Sequence, residues 1–171
     1  MATSFSSLIA ELQPYARALV DAAGSAGLLP RVTSTYRSRA DQERLYRRYL
    51  AGMQPYYVAP PGTSPHEYGY AFDLVVSPMG ALGDVGALWE TWGGYWGGRQ
   101  NDPVHFQYPG FEQWFRSAYG TTPHELAAVG GIDTLAQVRK VVTEISPYGE
   151  FGVEGNPFLA FPEYIASLFG R

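Results

Sequence analysis

Ser64-Pro65-His66-Glu67-Tyr68-Gly69-Tyr70-Ala71-Phe72-Asp73 is the stretch on which the reading of this chain turns. Side chains alternate across a strand, so Gly69, Ala71 and Asp73 share one face while Tyr70, Phe72 and Leu74 share the other. The second face is bulky and apolar and suits a core. The first is reduced to hydrogen and methyl around a single carboxylate, as close approach of a metal and a substrate backbone would require. Gly69 and Ala71 are expected to make the room, and Asp73 to supply a ligand.

Val104-His105-Phe106-Gln107-Tyr108 repeats the pattern. Val104, Phe106 and Tyr108 form the apolar face, which leaves His105 and Gln107 on the polar one, where His105 can look across a sheet at Asp73. His66, in the loop that feeds the first strand, completes two imidazoles and one carboxylate. That set leaves a fourth zinc position for water. Cysteine is absent and there are three histidines, so a transition-metal site must be built from His and carboxylate, and disulfides and thiolate catalysis are excluded.

Asp102 lies in the turn before the second strand. Pro103 lacks a ladder donor and belongs at a strand's start or edge, which frees Asp102 to swing toward the metal site as general base. Arg37 is expected to end an earlier strand, on the polar face with Thr33 and Thr35. Its guanidinium can anchor a substrate carboxylate or stabilise a developing oxyanion.

Around these segments the chain reads as α+β. A short helix and a longer one carry Pro14 in the first turn and Gly27 near the end, and Arg31 to Arg37 alternates as a strand. Ser38 and Asp41 open a helix running to about Gly52, with Arg39, Arg44, Arg47 and Arg48 on a solvated face. A Pro-rich loop over residues 53–65 precedes a strand from Gly69 to Val76. Next come a helix from Asp84 to Trp92, a glycine-rich turn, a strand from Val104 to Tyr108 and a helix from Phe111 to Tyr119. Too few βαβ units are present for a doubly wound sheet.

Residues 1–120 are read as the catalytic domain and 121–171 as a helical appendage, with a helix start at Thr122 to Glu125 and an amphipathic pattern at Leu135, Val138, Val142 and Ile145. His124 reads as a solvated first-turn residue. A length of 171 residues suits one core plus such an extension. Sixteen acidic against twelve basic residues give a net charge of −4 with no nucleic-acid footprint. The first twenty residues lack a signal-peptide pattern, and no run approaches a membrane span. The expectation is synthesis in the cytoplasm followed by action at the cell wall.

The blocks Tyr36-Arg37-Ser38 with Gln42 and Leu45-Tyr46, Ser64-x-His66-x-x-Gly69-x-Ala71-x-Asp73, and Trp92-Gly93-Gly94-Tyr95-Trp96 leading to Asp102-Pro103-Val104-His105-Phe106-Gln107 resemble the LAS zinc peptidases. That family includes D-alanyl-D-alanine carboxypeptidases and dipeptidases, the L-alanyl-D-glutamate endopeptidases of phage endolysins, and the hedgehog signalling domain. The resemblance implies one zinc ion on His66, Asp73 and His105, an acid/base at Asp102, and substrate contacts from Arg37, Ser64 and Gln42. It also implies a hedgehog/DD-peptidase-like α+β fold on a small antiparallel sheet.

Asp102 with Pro103 and the Gly-Gly-x-Trp turn are similar to the endolysin branch. The carboxypeptidase branch usually has Glu in the base position, followed by Trp before the histidine. Tyr95 and Val104 depart from the endolysin pattern, which often has Asp and Pro there. The activity expected is hydrolysis of the peptidoglycan stem peptide between L-Ala and D-Glu. The alternatives are a D-Ala-D-Ala carboxypeptidase or dipeptidase and, from another class, a non-catalytic zinc-binding or virion structural module. A phage setting, as an endolysin released by a holin or as a particle component docked to virion proteins through residues 121–171, suits the tail and the missing signal.

Overall fold

The computed structural model describes residues 3–128. Its centre is a four-stranded sheet made of β1 (Arg31–Ser34), β2 (Ala71–Val75), β3 (Tyr95–Trp96) and β4 (His105–Gln107), in the order β1-β2-β4-β3. Every neighbouring pair is antiparallel. Helices α1 (Leu12–Ser25), α2 (Arg39–Leu50), α3 (Leu82–Thr91), α4 (Phe111–Tyr119) and α5 (Pro123–Ala128) complete the mixed α+β architecture expected from the sequence.

Alternation on β2 and β4 divides the molecule into a core and a site. Phe72, Leu74 and Phe106 are fully buried, and Phe72 and Phe106 stack at 5.5 Å between ring centroids. Leu12, Ala16 and Leu19 of α1 and Leu82, Val85 and Trp89 of α3 pack into the same cluster. Trp89 fixes the register of the sheet's far edge, because its indole N–H donates to the carbonyls of both Tyr95 (3.1 Å) and Gln107 (3.2 Å). A buried indole N–H without an acceptor would be costly, so this pair of acceptors locks α3 against β3 and β4.

Several boundaries differ from the sequence reading, each for a physical reason. β1 ends at Ser34 rather than Arg37, since its register with β2 shifts between Val32 and Ser34. Such a bulge breaks alternation, so Thr33, Thr35 and Arg37 do not form one strand face. β2 begins at Ala71, because Pro65–Tyr68 forms a 3-10 turn closed by Gly69 in the left-handed region at φ 73°. A Cβ on Gly69 would lie 3.0 Å from the Ser7 carbonyl oxygen and 3.1 Å from the Ile9 nitrogen. Gly69 therefore makes room for the N-terminal segment, not for a substrate, and Ala71 is fully buried away from the cleft wall.

The glycine-rich turn contains the short strand β3, a two-residue element too short for side-chain alternation to predict. Ser38 caps α2 as expected, its Oγ accepting from the Asp41 N–H at 3.2 Å and donating to the Asp41 carboxylate at 2.7 Å. Residues 121–128 rest on α4, with Leu126 buried against Phe111 and Phe115. His124 is exposed. The pattern at Leu135, Val138, Val142 and Ile145 and the tail lie outside the described residues.

Candidate active site

Strand pairing brings the candidate ligands together. Asp73 on β2 sits opposite His105 on β4, and Asp73 also faces Ser34 of β1 across the bulge. His66 arrives from the 3-10 turn before β2. Its Nε2 lies 3.2 Å from Asp73 Oδ1 and 3.2 Å from His105 Nδ1, while His105 Nδ1 is 3.7 Å from Asp73 Oδ1. The three are one cluster whose ligand atoms all fall within 4.8 Å of one another.

The hydrogen bonds behind the rings decide which nitrogens face inward. His66 Nδ1 is 2.7 Å from the Thr35 carbonyl oxygen, an obligate acceptor, so the ring proton sits on Nδ1 and Nε2 presents a lone pair. His105 Nε2 lies 3.3 Å from the side-chain oxygen of Gln107, two residues on along the same face of β4, which leaves Nδ1 as the inward lone pair.

Two imidazole lone pairs and a carboxylate aimed at one point repel unless a cation stands among them. A tetrahedral zinc ion with ligands at about 2.0–2.1 Å holds those atoms about 3.3–3.4 Å apart, close to the spacing seen here. The donor set and its spacing fit zinc.

Electrostatics agree. Burial alone would raise the Asp73 carboxyl, but His66 and His105 beside it outweigh that and hold it well below the usual carboxylate range. Burial opposes charge on His105, yet Asp73 and Asp102 overcome it and raise the ring above its ordinary value. In the absence of metal a proton on His105 does part of the cation's work.

Arg37 and Gln42 lie beneath this cluster. Arg37 Nη2 reaches Asp73 Oδ2 at 3.4 Å, and Nη1 donates to Gln42 Oε1 at 2.8 Å. Gln42, fully buried, donates through Nε2 to the Ala59 carbonyl at 2.6 Å. The backbone N–H of Arg37 donates to the His66 carbonyl at 3.0 Å, so the segment after β1 is fastened to two of the three ligands.

Ser64 is buried in the cleft wall just before the 3-10 turn, and its N–H donates to the Glu67 carboxylate at 3.2 Å. Asp102 follows a second 3-10 turn, Gly97–Gln100. Its N–H bonds to the Gly97 carbonyl at 3.0 Å, and its own carbonyl accepts from the His105 N–H at 3.2 Å. Burial pushes the Asp102 carboxyl above its ordinary value, against the pull of His105.

These residues line one cleft of about 950 Å³, which extends past the ligands to the loop at residues 54–59 and to the start of α4 at Phe111–Gln113. All six candidates named from the sequence besides Gln42 (Arg37, Ser64, His66, Asp73, Asp102 and His105) reach its wall, as Gln42 does too. The sequence reading assigned no role to Gln107 or to the Thr35 carbonyl. The i, i+2 spacing of Gln107 from His105 was the signal available for the first; a backbone carbonyl leaves none.

Residues 6–92 match the VanY family, described as D-alanyl-D-alanine carboxypeptidase. The chain belongs to this family. The matched span holds Arg37, Gln42, Ser64, His66 and Asp73; Asp102 and His105 come after it and join the site through the pairing of β4 with β2.

Among solved structures, the chain is similar to the vancomycin-resistance D,D-pentapeptidase VanY of a VanB-type cassette in complex with Zn(II). That similarity is 23% identity over 69% of this chain and 82% of the other, TM-score 0.48. It is also similar to the D,D-dipeptidase VanXYg bound to a D-Ala-D-Ala phosphinate analogue, at 20% identity over 69% and 57%, TM-score 0.49. The LD-carboxypeptidase LdcB shows 21% identity over 73% and 70%, TM-score 0.46. No curated protein matches the chain. As a VanY family member with a zinc-competent His-Asp-His cluster, the chain is a metallopeptidase that acts on peptidoglycan.

Proposed function

We propose that this VanY-family metallopeptidase cuts the peptidoglycan stem peptide internally, at the L-alanyl-D-glutamyl bond. The observation that carries this reading is the state of Arg37. Among the described residues that line the cleft it is the one Lys or Arg; its terminal nitrogens contact Asp73 and Gln42, and its Nε is buried without a partner, so no face of the guanidinium is open to the cleft. A carboxypeptidase must hold a free terminal carboxylate, and charge-assisted pairing with an open guanidinium is the usual means. A cleft that extends past the ligands instead suits a chain continuing beyond the scissile bond. The resemblance of the Asp102-Pro103 turn to that of the endolysin endopeptidases supports L-Ala-D-Glu as the bond cut.

His66 Nε2, Asp73 and His105 Nδ1 would hold the zinc ion, which when bound supplies a Lewis acid for the carbonyl and a lowered pKa for water. Asp102, its carboxylate made more basic by burial, takes the proton from the attacking water and delivers it to the leaving amine nitrogen. Arg37 holds the Asp73 carboxylate in place and keeps positive charge beneath the site. Gln42 braces Arg37, and Ser64 shapes the wall. Residues 121–171 are proposed as an extension that docks to a larger assembly, such as a phage particle.

A second reading, cleavage of terminal D-Ala-D-Ala, is favoured by the family match itself. Mass spectrometry of digested muropeptides separates the two. The first reading predicts a free peptide starting with D-Glu and a sugar left bearing only L-Ala; loss of terminal alanine alone establishes the second and refutes the first.

A further inference from the structure

Four of the large apolar side chains exposed among the described residues fall within residues 50–57: Leu50 (66%), Met53 (67%), Tyr56 (49%) and Tyr57 (64%). Tyr57 is joined to rings on α2. Tyr49 stacks on Tyr46 at 6.2 Å and meets Tyr57 edge-on at 5.8 Å. Burial, with the neighbouring Tyr46 and Tyr49 hydroxyls, raises the Tyr57 phenol, so its hydroxyl remains a protonated donor. Two guanidinium groups of α2 are paired with carboxylates, Arg44 with Asp41 and Arg47 with Glu43.

The loop is anchored at both ends. The Met53 N–H bonds to the Arg48 carbonyl at 2.9 Å, and the Ala59 carbonyl receives the Gln42 amide. Tyr56 and Tyr57 also line the catalytic cleft, so the patch continues the cleft wall.

We infer that this tyrosine wall is a saccharide subsite, which binds the N-acetylated amino sugar from which the stem peptide hangs. The inference rests on the internal-cleavage reading and deepens it. Aromatic faces with polar tips suit a neutral ligand that presents C–H faces and hydroxyls together, and rigid tyrosines lose little entropy on contact. Tyr56 and Tyr57 share the cleft with the ligand cluster, and the sugar must lie close to the cut. One extended residue spans at most about 3.6 Å, so a sugar attached to the L-Ala amine lies within about 7 Å of an L-Ala-D-Glu bond.

The test compares the full zinc-loaded chain on two soluble substrates, a free stem peptide and the same peptide carrying its amino-sugar disaccharide. Wild type should show a KM lower by roughly five- to tenfold for the sugar-bearing substrate. In Tyr57→Ala and Tyr56→Ala that ratio should fall close to one, whatever the absolute rates. Equal KM values in wild type, or an undiminished ratio in the variants, would overturn the subsite while leaving the peptidase reading intact.

Titration of the zinc-free chain with the disaccharide alone, followed by tyrosine ring NMR shifts, gives a readout independent of catalysis. Shifts at Tyr49, Tyr56 and Tyr57 support the subsite even if neither peptide is cut, an outcome that would sink the peptidase reading instead. A Tyr57-dependent dimer insensitive to the disaccharide would show that a second copy covers the patch, and would refute the proposal.

Discussion

The Nε2 atom of His66 stands 3.2 Å from Nδ1 of His105, and both face each other as lone pairs because each ring donates its proton the other way, to the Thr35 carbonyl and to the Gln107 side chain. Such an approach is favourable around a metal ion or, without one, around a proton held on His105. Gln107 thus belongs to the metal site without touching the metal. Gln107→Leu should weaken zinc binding by about 10–100-fold in competition with a chromophoric chelator. Gln107→Glu, which keeps an acceptor on His105 Nε2, should restore most of it. Equal affinity in all three proteins would remove Gln107 from the site.

Asp102 should be separable from metal binding. Its carboxyl is raised by burial and it is not a member of the ligand cluster. Asp102→Asn should bind zinc with wild-type stoichiometry and lose about 10²–10⁴-fold in kcat on muropeptides, the range for a positioned acid/base. A variant that retains full turnover would show that proton transfer is done elsewhere.

The stability of the metal-free protein and the gain on adding zinc should change with pH in opposite senses. Asp73, held below its ordinary 3.8, contributes stability that is present above that pH and lost as pH falls through its lower folded value. His105, raised above 6.5, contributes stability present below 6.5 and lost as pH rises through its folded value. Burial lifts Glu67 from 4.5 to about 7, outweighing its bonds from the Gly62 and Ser64 N–H groups, so its contribution is present below 4.5 and fades by about 7. The Tm of the metal-free protein should therefore fall between about pH 5 and pH 8. Zinc competes with the proton on His105, so the gain in Tm on adding zinc should widen over the same range. A gain that is constant with pH would contradict the ligand role of His105.

Gly97 gives a steric prediction. A Cβ there would lie 2.6 Å from the Asp102 carbonyl oxygen and 2.9 Å from the Cβ of His105. Gly97→Ala must push apart the turn that carries the base and the strand that carries a ligand. A loss of about 1–3 kcal/mol in urea unfolding is expected, together with weaker zinc binding. Gly24→Ala, where nothing lies within 4 Å, is the control and should be neutral or stabilising.

The ligand set was legible because strand alternation is a strict rule. Once Phe72 and Leu74 point to the core, Asp73 has one place to go, and the same holds for His105 beside Phe106. The residue types in the cleft were legible for the same reason. What local pattern could not show was anything set by a partner segment. Gly69 looked like cleared space, but the backbone of residues 7–9 fills it. Arg37 looked like the end of a strand, but a bulge at Val32–Ser34 turns it under Asp73. Gln42 reads as an ordinary helix residue until the Ala59 carbonyl is placed beside it.

X-ray diffraction from zinc-soaked crystals at energies on either side of the zinc absorption edge tests the central claim most directly. A single anomalous peak should appear about 2.0–2.2 Å from His66 Nε2, Asp73 and His105 Nδ1. A peak bound elsewhere, or the three side chains left without one at saturating zinc, would contradict the account.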